Sequence, residues 1–136
     1  MAHGLARGGA GPVTPIASIA MKLPSLANSR LHWRERARVV RDQRTHVAFT
    51  LAGVPRPPMP CVIHLERHGV RLLDDDNLAG AFKGVRDEVA LWLAVDDKPG
   101  SGVEWRYAQH AGSTAQRVVI SWTPSHRDEA PPFWEL

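Results

Sequence analysis

Residues 72–97 read Leu-Leu-Asp-Asp-Asp-Asn-Leu-Ala-Gly-Ala-Phe-Lys-Gly-Val-Arg-Asp-Glu-Val-Ala-Leu-Trp-Leu-Ala-Val-Asp-Asp, and the rest of the chain is organised around them. Asp74, Asp75, Asp76 and Asn77 open a helical pattern, and Asp96 and Asp97 close it. Three adjacent like charges repel, and a helix start needs one. A bound cation is the usual physical reason to keep three. Carboxylates without thiols or a histidine cluster suit hard ions such as magnesium, manganese and calcium. Turning about 100° per residue from Asp76 brings Gly80, Lys83 and Asp87 within about 40° of it. Leu78, Phe82, Val85, Val89 and Trp92 fall on the opposite side. One face packs; the other carries carboxylate, glycine gap, lysine and carboxylate.

The same residues also fit a capped surface helix. Asp75 or Asp76 would then be the N-cap, the early acids would favour the helix dipole, and Lys83 would pair with Asp87. The twelve-residue spacing of a calcium loop, with its late glutamate, is missing.

Upstream of the aspartates, residues 61–66 alternate as a strand, with Cys61, Ile63 and Leu65 on one face and Val62, His64 and Glu66 on the other. Residues 67–71 extend it towards the aspartates. Before it, Gly53 and the prolines 55, 57, 58 and 60 end a long helix over 32–51. That helix has an apolar stripe of Trp33, Ala37, Val40, Val47, Ala48 and Leu51, with Trp33 read as core. Arg34, Arg38 and Arg41 form a second stripe, and Asn28 and Ser29 are N-cap candidates. Residues 16–22 make a first strand. Downstream, 103–109 and 116–122 flank Gly112 and Ser113 and read as a β-hairpin. The order β-α-β-α-β-β gives a small α/β (α+β mixed) domain over 15–123, with a mixed sheet of about four strands and two helices on one face. Residues 1–14 and 124–136 read as tails.

A chain of 136 residues can bury a real core as one domain. Its net charge is +3, but six arginines crowd 30–44, and a basic stripe near an acidic cluster points to an anionic partner. The single cysteine, Cys61, excludes an intramolecular disulfide and fits a reducing cytoplasm. No run is long enough to cross a membrane, and the N-terminus is a poor signal peptide. There is no phosphate-cradling glycine loop and no nucleophile elbow. The seven histidines show no metal-ligand spacing; His64, His68, His110 and His126 read as strand or surface residues.

Carboxylates beside a basic helix suit metal-assisted phosphodiester hydrolysis. Asp74 and Asp76, two apart in an extended entry, project to one side. Lys83, on the face of Asp76, is placed to stabilise transition-state charge or protonate a leaving oxygen, or simply to pair with Asp87. A helix over 77–95 is about 30 Å long, so spacing alone does not bring Asp97 back to Asp74 and Asp76.

Leu-Pro-Ser-Leu-Ala-Asn-Ser-Arg at 23–30, Asp-Asp-Asp-Asn-Leu at 74–78, Lys83, Asp87 and Val-Asp-Asp at 95–97 resemble the RusA family of Holliday-junction resolvases over most of 16–123. The resemblance implies a magnesium-dependent homodimeric endonuclease, with manganese able to substitute, that cuts four-way DNA junctions by paired symmetric nicks. It implies Asp74, Asp76 and Asp97 as metal ligands gathered by the fold, and Lys83 as the essential basic residue. Asn28, Arg30, Arg34, Arg38 and Arg41 would hold DNA, and Asp75, Asn77, Asp87 and Asp96 would support the site. The family's lysine follows its asparagine by three residues. Here Lys83 lies six after Asn77, an added stretch of nearly one turn that keeps the lysine on the same face. The displaced lysine keeps a second expectation open, a non-catalytic DNA-binding or replication-accessory protein on the same fold.

Overall fold

Strand β2 (Cys61–His68) carries the chain's tightest apolar alternation, and Cys61, Ile63 and Leu65 are fully buried on one face. The computed structural model describes residues 13–25, 32–95 and 100–125. The chain's ends, 1–12 and 126–136, and the segments 26–31 and 96–99, which include Asn28, Ser29, Arg30, Asp96 and Asp97, lie outside these.

Both edges of β2 are paired. Strand β3 (Val103–His110) runs parallel to it, from Cys61 opposite Val103 to His68 opposite His110. Strand β4 (Arg117–Pro124) runs antiparallel on its other side, from Cys61 opposite Pro124 to His68 opposite Arg117. Strand β1 (Thr14–Ala20) adds antiparallel to β4, with a bulge between Pro15 and Ala17. The sheet order is β1-β4-β2-β3, a four-stranded mixed sheet. The expected hairpin between the last two strands is therefore wrong. The connection 111–116 passes over the end of β2 instead, with Gly69 N–H donating to His110 O, Gly112 N–H to Val70 O and Ser113 N–H to Gly69 O. A loop of hairpin length reaches across one intervening strand because neighbouring strands are only about 5 Å apart.

A parallel neighbour needs a crossover. Helices α2 (Asp75–Ala81) and α3 (Lys83–Leu93) supply it between β2 and β3. The expected single helix is divided at Phe82, whose N–H bonds to both Leu78 O and Ala79 O; the ladder resumes with Arg86 N–H to Phe82 O. Phe82 is fully buried and stacks on Tyr107 at 5.5 Å. Leu78, Phe82, Val85 and Val89 all join the core, as their spacing implied. After α3, Ala94 turns left-handed (φ 59°), and Val95 N–H reaches back to Ala90 O while the side chain of Val95 packs on the core. This is a Schellman stop, with alanine where glycine is usual.

Helix α1 (Trp33–Leu51) starts where His32, in extended conformation, accepts the Arg34 N–H on Nδ1. It buries Gln43, Val47 and Leu51. Of the apolar stripe only Val47 and Leu51 are buried: Val40 is half-buried, Ala37 and Ala48 are exposed, and Trp33 is 60% exposed rather than core. Ala37 and Val40 line an open groove beside α3. Trp33 instead lies under the Arg34 guanidinium at 5.1 Å. α1 packs against α3 and β1. The closest approach is at Gly84, where a Cβ would meet Val40 Cγ1 at 3.0 Å.

The two helical glycines should therefore respond oppositely. Gly84→Val drives α1 from α3 and should destabilise the fold by about 1–3 kcal/mol. At Gly80 an added Cβ meets nothing within 4 Å, so Gly80→Ala should stabilise by about 0.5–1 kcal/mol through helix propensity. Urea denaturation of both variants checks this, and equal signs would contradict the packing described.

Candidate metal and nucleic-acid site

The acidic segment is anchored from below by a buried arginine. Arg67 sits near the end of β2 on its core-facing side, where its Nε donates to Leu23 O (2.8 Å) and its Nη1 to Arg71 O (2.7 Å). One guanidinium thus ties the loop after β1 to the turn leading into the aspartates. Burial pushes its pKa down from the ordinary arginine value, and the two carbonyls supply the hydrogen bonds that a buried charge requires. Gly69 leaves this guanidinium its space, since a Cβ there would lie 2.9 Å from it.

A second clamp acts one residue before the acids. Leu73 N–H donates to Gln109 Oε1 (2.9 Å), and Gln109 Nε2 donates to Leu73 O (2.6 Å). Gln109 lies directly opposite Arg67 in the β2–β3 register. Asp74 follows as the N-cap of α2, in extended conformation, so the cap is one residue earlier than expected. Its carboxylate makes no capping hydrogen bond. Asp75 and Asp76 occupy the first turn; all three are exposed, and Asn77 is half-buried. Carboxylates held on a fixed backbone and left hydrated match what a hard divalent cation needs.

Beyond the acids, a groove of about 1020 Å³ runs between α1 and the α2–α3 pair. Gly80 opens its floor, and Arg36, Arg41, Arg44 and Lys83 contribute positive charge against Asp87 and Glu88. Lys83 Nζ lies 3.2 Å from Asp87 Oδ2, and Arg44 Nε lies 3.1 Å from Glu88 Oε1. Both acids are thus matched within the groove, and its balance is basic. Phe49, 84% exposed, adds an unburied aromatic ring to the same lining.

No family model, no curated protein and no solved structure matches this chain. The site therefore rests on its own geometry.

Of the expected residues, Lys83, Asp87 and Arg41 meet at the groove. Arg34 and Arg38 are exposed outside its lining, Arg34 over Trp33. Asn28, Arg30, Asp96 and Asp97 are outside the described residues, and so is any meeting of Asp97 with Asp74 and Asp76. Sequence reasoning passed over Arg36, Arg44 and Phe49. The i, i+4, i+7 stripe drawn through Arg34 misses them, whereas the close approach at Gly84 would have turned attention to the α1 face beside α3. It also missed a grouping on the opposite face of the sheet. Among the described residues, Glu66, His68 and His110 bring three ligand atoms within 4.8 Å of one another.

If the Gln109 amide positions the acids, Gln109→Ala leaves a half-buried backbone pair at Leu73 without its partner. The loss should be about 1–3 kcal/mol, with amide hydrogen exchange accelerated at Leu73 and unchanged at Val89 in the core.

Proposed function

We propose that this protein is a magnesium-dependent, structure-selective endonuclease that resolves four-way DNA junctions by paired symmetric nicks. The observation that carries the reading is the N-cap at Asp74. Its carboxylate takes no part in capping, two further exposed acids follow it, and the backbone before it is clamped from β2 and β3. The helix dipole favours Asp75 and Asp76 in the first turn, but it does not require an uncommitted carboxylate at the N-cap on a clamped backbone.

Asp74 and Asp76 would hold the ion, with Asp97 completing the set as the resemblance to RusA resolvases implies. Magnesium keeps several waters and accepts only a few carboxylates, which exposed acids allow. When bound it supplies an activated water and charge neutralisation at the scissile phosphate. The protein's own groups do the rest. Lys83 presents positive charge on the helix flank that follows the acids, and Asp87 holds its ammonium in place. Arg36, Arg41 and Arg44 bind backbone phosphates along the groove, a contact that positions DNA without reading its sequence. Two opposed cuts need two such sites in a fixed relation, which a two-fold homodimer supplies. The partner is thus branched DNA.

A second reading, a DNA-binding or replication accessory that does not cut, is favoured by the lysine. Lys83 opens α3 rather than lying in α2 with the acids, and it is already paired with Asp87. Among the described residues no helix is long and apolar enough to cross a membrane.

A synthetic four-way junction separates the two readings. With magnesium, paired cuts at opposed strands should form and should vanish in Asp76→Asn, while the variant's stability stays within about 0.5 kcal/mol as for an exposed site. Binding without cutting under magnesium or manganese would leave only the accessory role. In either case Arg36→Ala and Arg41→Ala should each weaken junction binding and lower the salt slope, log Kd against log salt, by about 1. A slope indifferent to both substitutions would remove the groove from the DNA interface.

A further inference from the structure

We infer that Glu66, His68 and His110 form a binding site for a divalent transition-metal ion, with zinc the best-matched. The site lies on the sheet face turned away from the helical core and stands independently of the acidic segment. Three facts of the fold create it. His68 and His110 are direct partners in the parallel β2–β3 register, so their side chains rise from the same face. Glu66 is two residues before His68 on β2, and period-two alternation puts it on that face as well. The two imidazoles stack with centroids 4.6 Å apart and planes within 20° of parallel.

Glu66 Oε1 lies 3.0 Å from His110 Nε2 and 3.6 Å from His68 Nε2. Zinc bonds of about 2.0–2.1 Å at tetrahedral angles set neighbouring ligand atoms about 3.3 Å apart. The two measured separations bracket that edge. His110 Nε2 hydrogen-bonds to Glu66 Oε1 and His68 Nε2 faces the same oxygen, so the three ligand atoms, all within 4.8 Å, form a triangular mouth.

The donor set selects the ion. Two imidazole nitrogens and one carboxylate oxygen suit zinc and its neighbours, whereas magnesium and calcium prefer oxygens alone. Three protein ligands leave a fourth position open, as in zinc sites that bind water or substrate. The His110 side chain is 54% exposed, so the site is reachable from solvent. Both strands are paired along their length, which holds the ligands at fixed spacing before any ion arrives. Arg117 lies opposite His68 on β4 and is a positive neighbour of the site. It is exposed, where solvent and salt screen its repulsion, and the Glu66 carboxylate opposes it.

The test uses the full chain, stripped by chelator and dialysed. Calorimetric titration with zinc chloride should show one ion per chain at micromolar affinity or better. Cobalt(II) should give the visible absorption of a tetrahedral complex. His110→Ala and Glu66→Gln should each weaken zinc binding at least about tenfold, no less than loss of a supporting residue costs a metal site. His64→Ala, on the same face but outside the triad, should leave the affinity unchanged. Zinc should also raise the unfolding temperature of the parent chain and not that of Glu66→Gln, as binding to the folded state requires. Glu66→Gln is nearly isosteric, so it decides the matter even where His110→Ala misfolds. Absence of zinc uptake at micromolar concentration, or uptake equal in the parent and Glu66→Gln, overturns the assignment.

Discussion

Strand β2 is hydrogen-bonded on both edges, and most other features follow from that constraint. A strand in this position must be apolar on the face that meets the helices, and Cys61, Ile63 and Leu65 satisfy this. Its two neighbours run in opposite senses, β4 antiparallel on one side and β3 parallel on the other. A parallel neighbour demands a crossover, and the crossover is the acidic segment with its two helices. The aspartates therefore stand where the chain leaves the carboxyl end of a central strand and enters a helix. In open α/β sheets this is the end at which ligands gather.

Much of this order was legible in residues 61–95. The period-two pattern of 61–66 placed β2 and its buried face correctly, and the 3.6 period after Asp76 separated packing side chains from the polar flank. Local periodicity reports which face of an element is apolar, and these elements had one clean apolar face each. The same reasoning failed where the deciding contacts are non-local. Nothing in 103–122 tells that β2 inserts between the last two strands, because two alternating strands and a short loop look alike in either arrangement. Trp33 lies on the apolar stripe of α1 yet is exposed, because whether a stripe is covered depends on what packs against it, which its own spacing does not report. The nearness of His68 to His110 depends on strand register, and the 41 intervening positions carry no spacing rule for it.

The polar groups near the acids are organised in depth. Arg67 works from inside the fold, Gln109 from the adjacent strand, and both end on backbone atoms of 71–73 rather than on the carboxylates. That arrangement fixes where the acids start without consuming their oxygens. The groove differs in kind: Lys83 with Asp87 and Arg44 with Glu88 are surface pairs, worth little to stability. Their value lies in the field they shape. Position at one end of α2 and charge at the other are thus set by separate means, one from the core and one from the surface.

The left-handed Ala94 shows how far the core's authority extends. That conformation costs an L-residue with a side chain roughly 1–2 kcal/mol, and a glycine would have adopted it freely. The turn persists because Val95 is held by the core beneath it. The direction in which the chain departs from α3 is accordingly not a local preference of residues 93–95. It is inherited from hydrophobic packing, so a change in the core beneath Val95 would release the turn at Ala94 while leaving residues 93–95 themselves untouched.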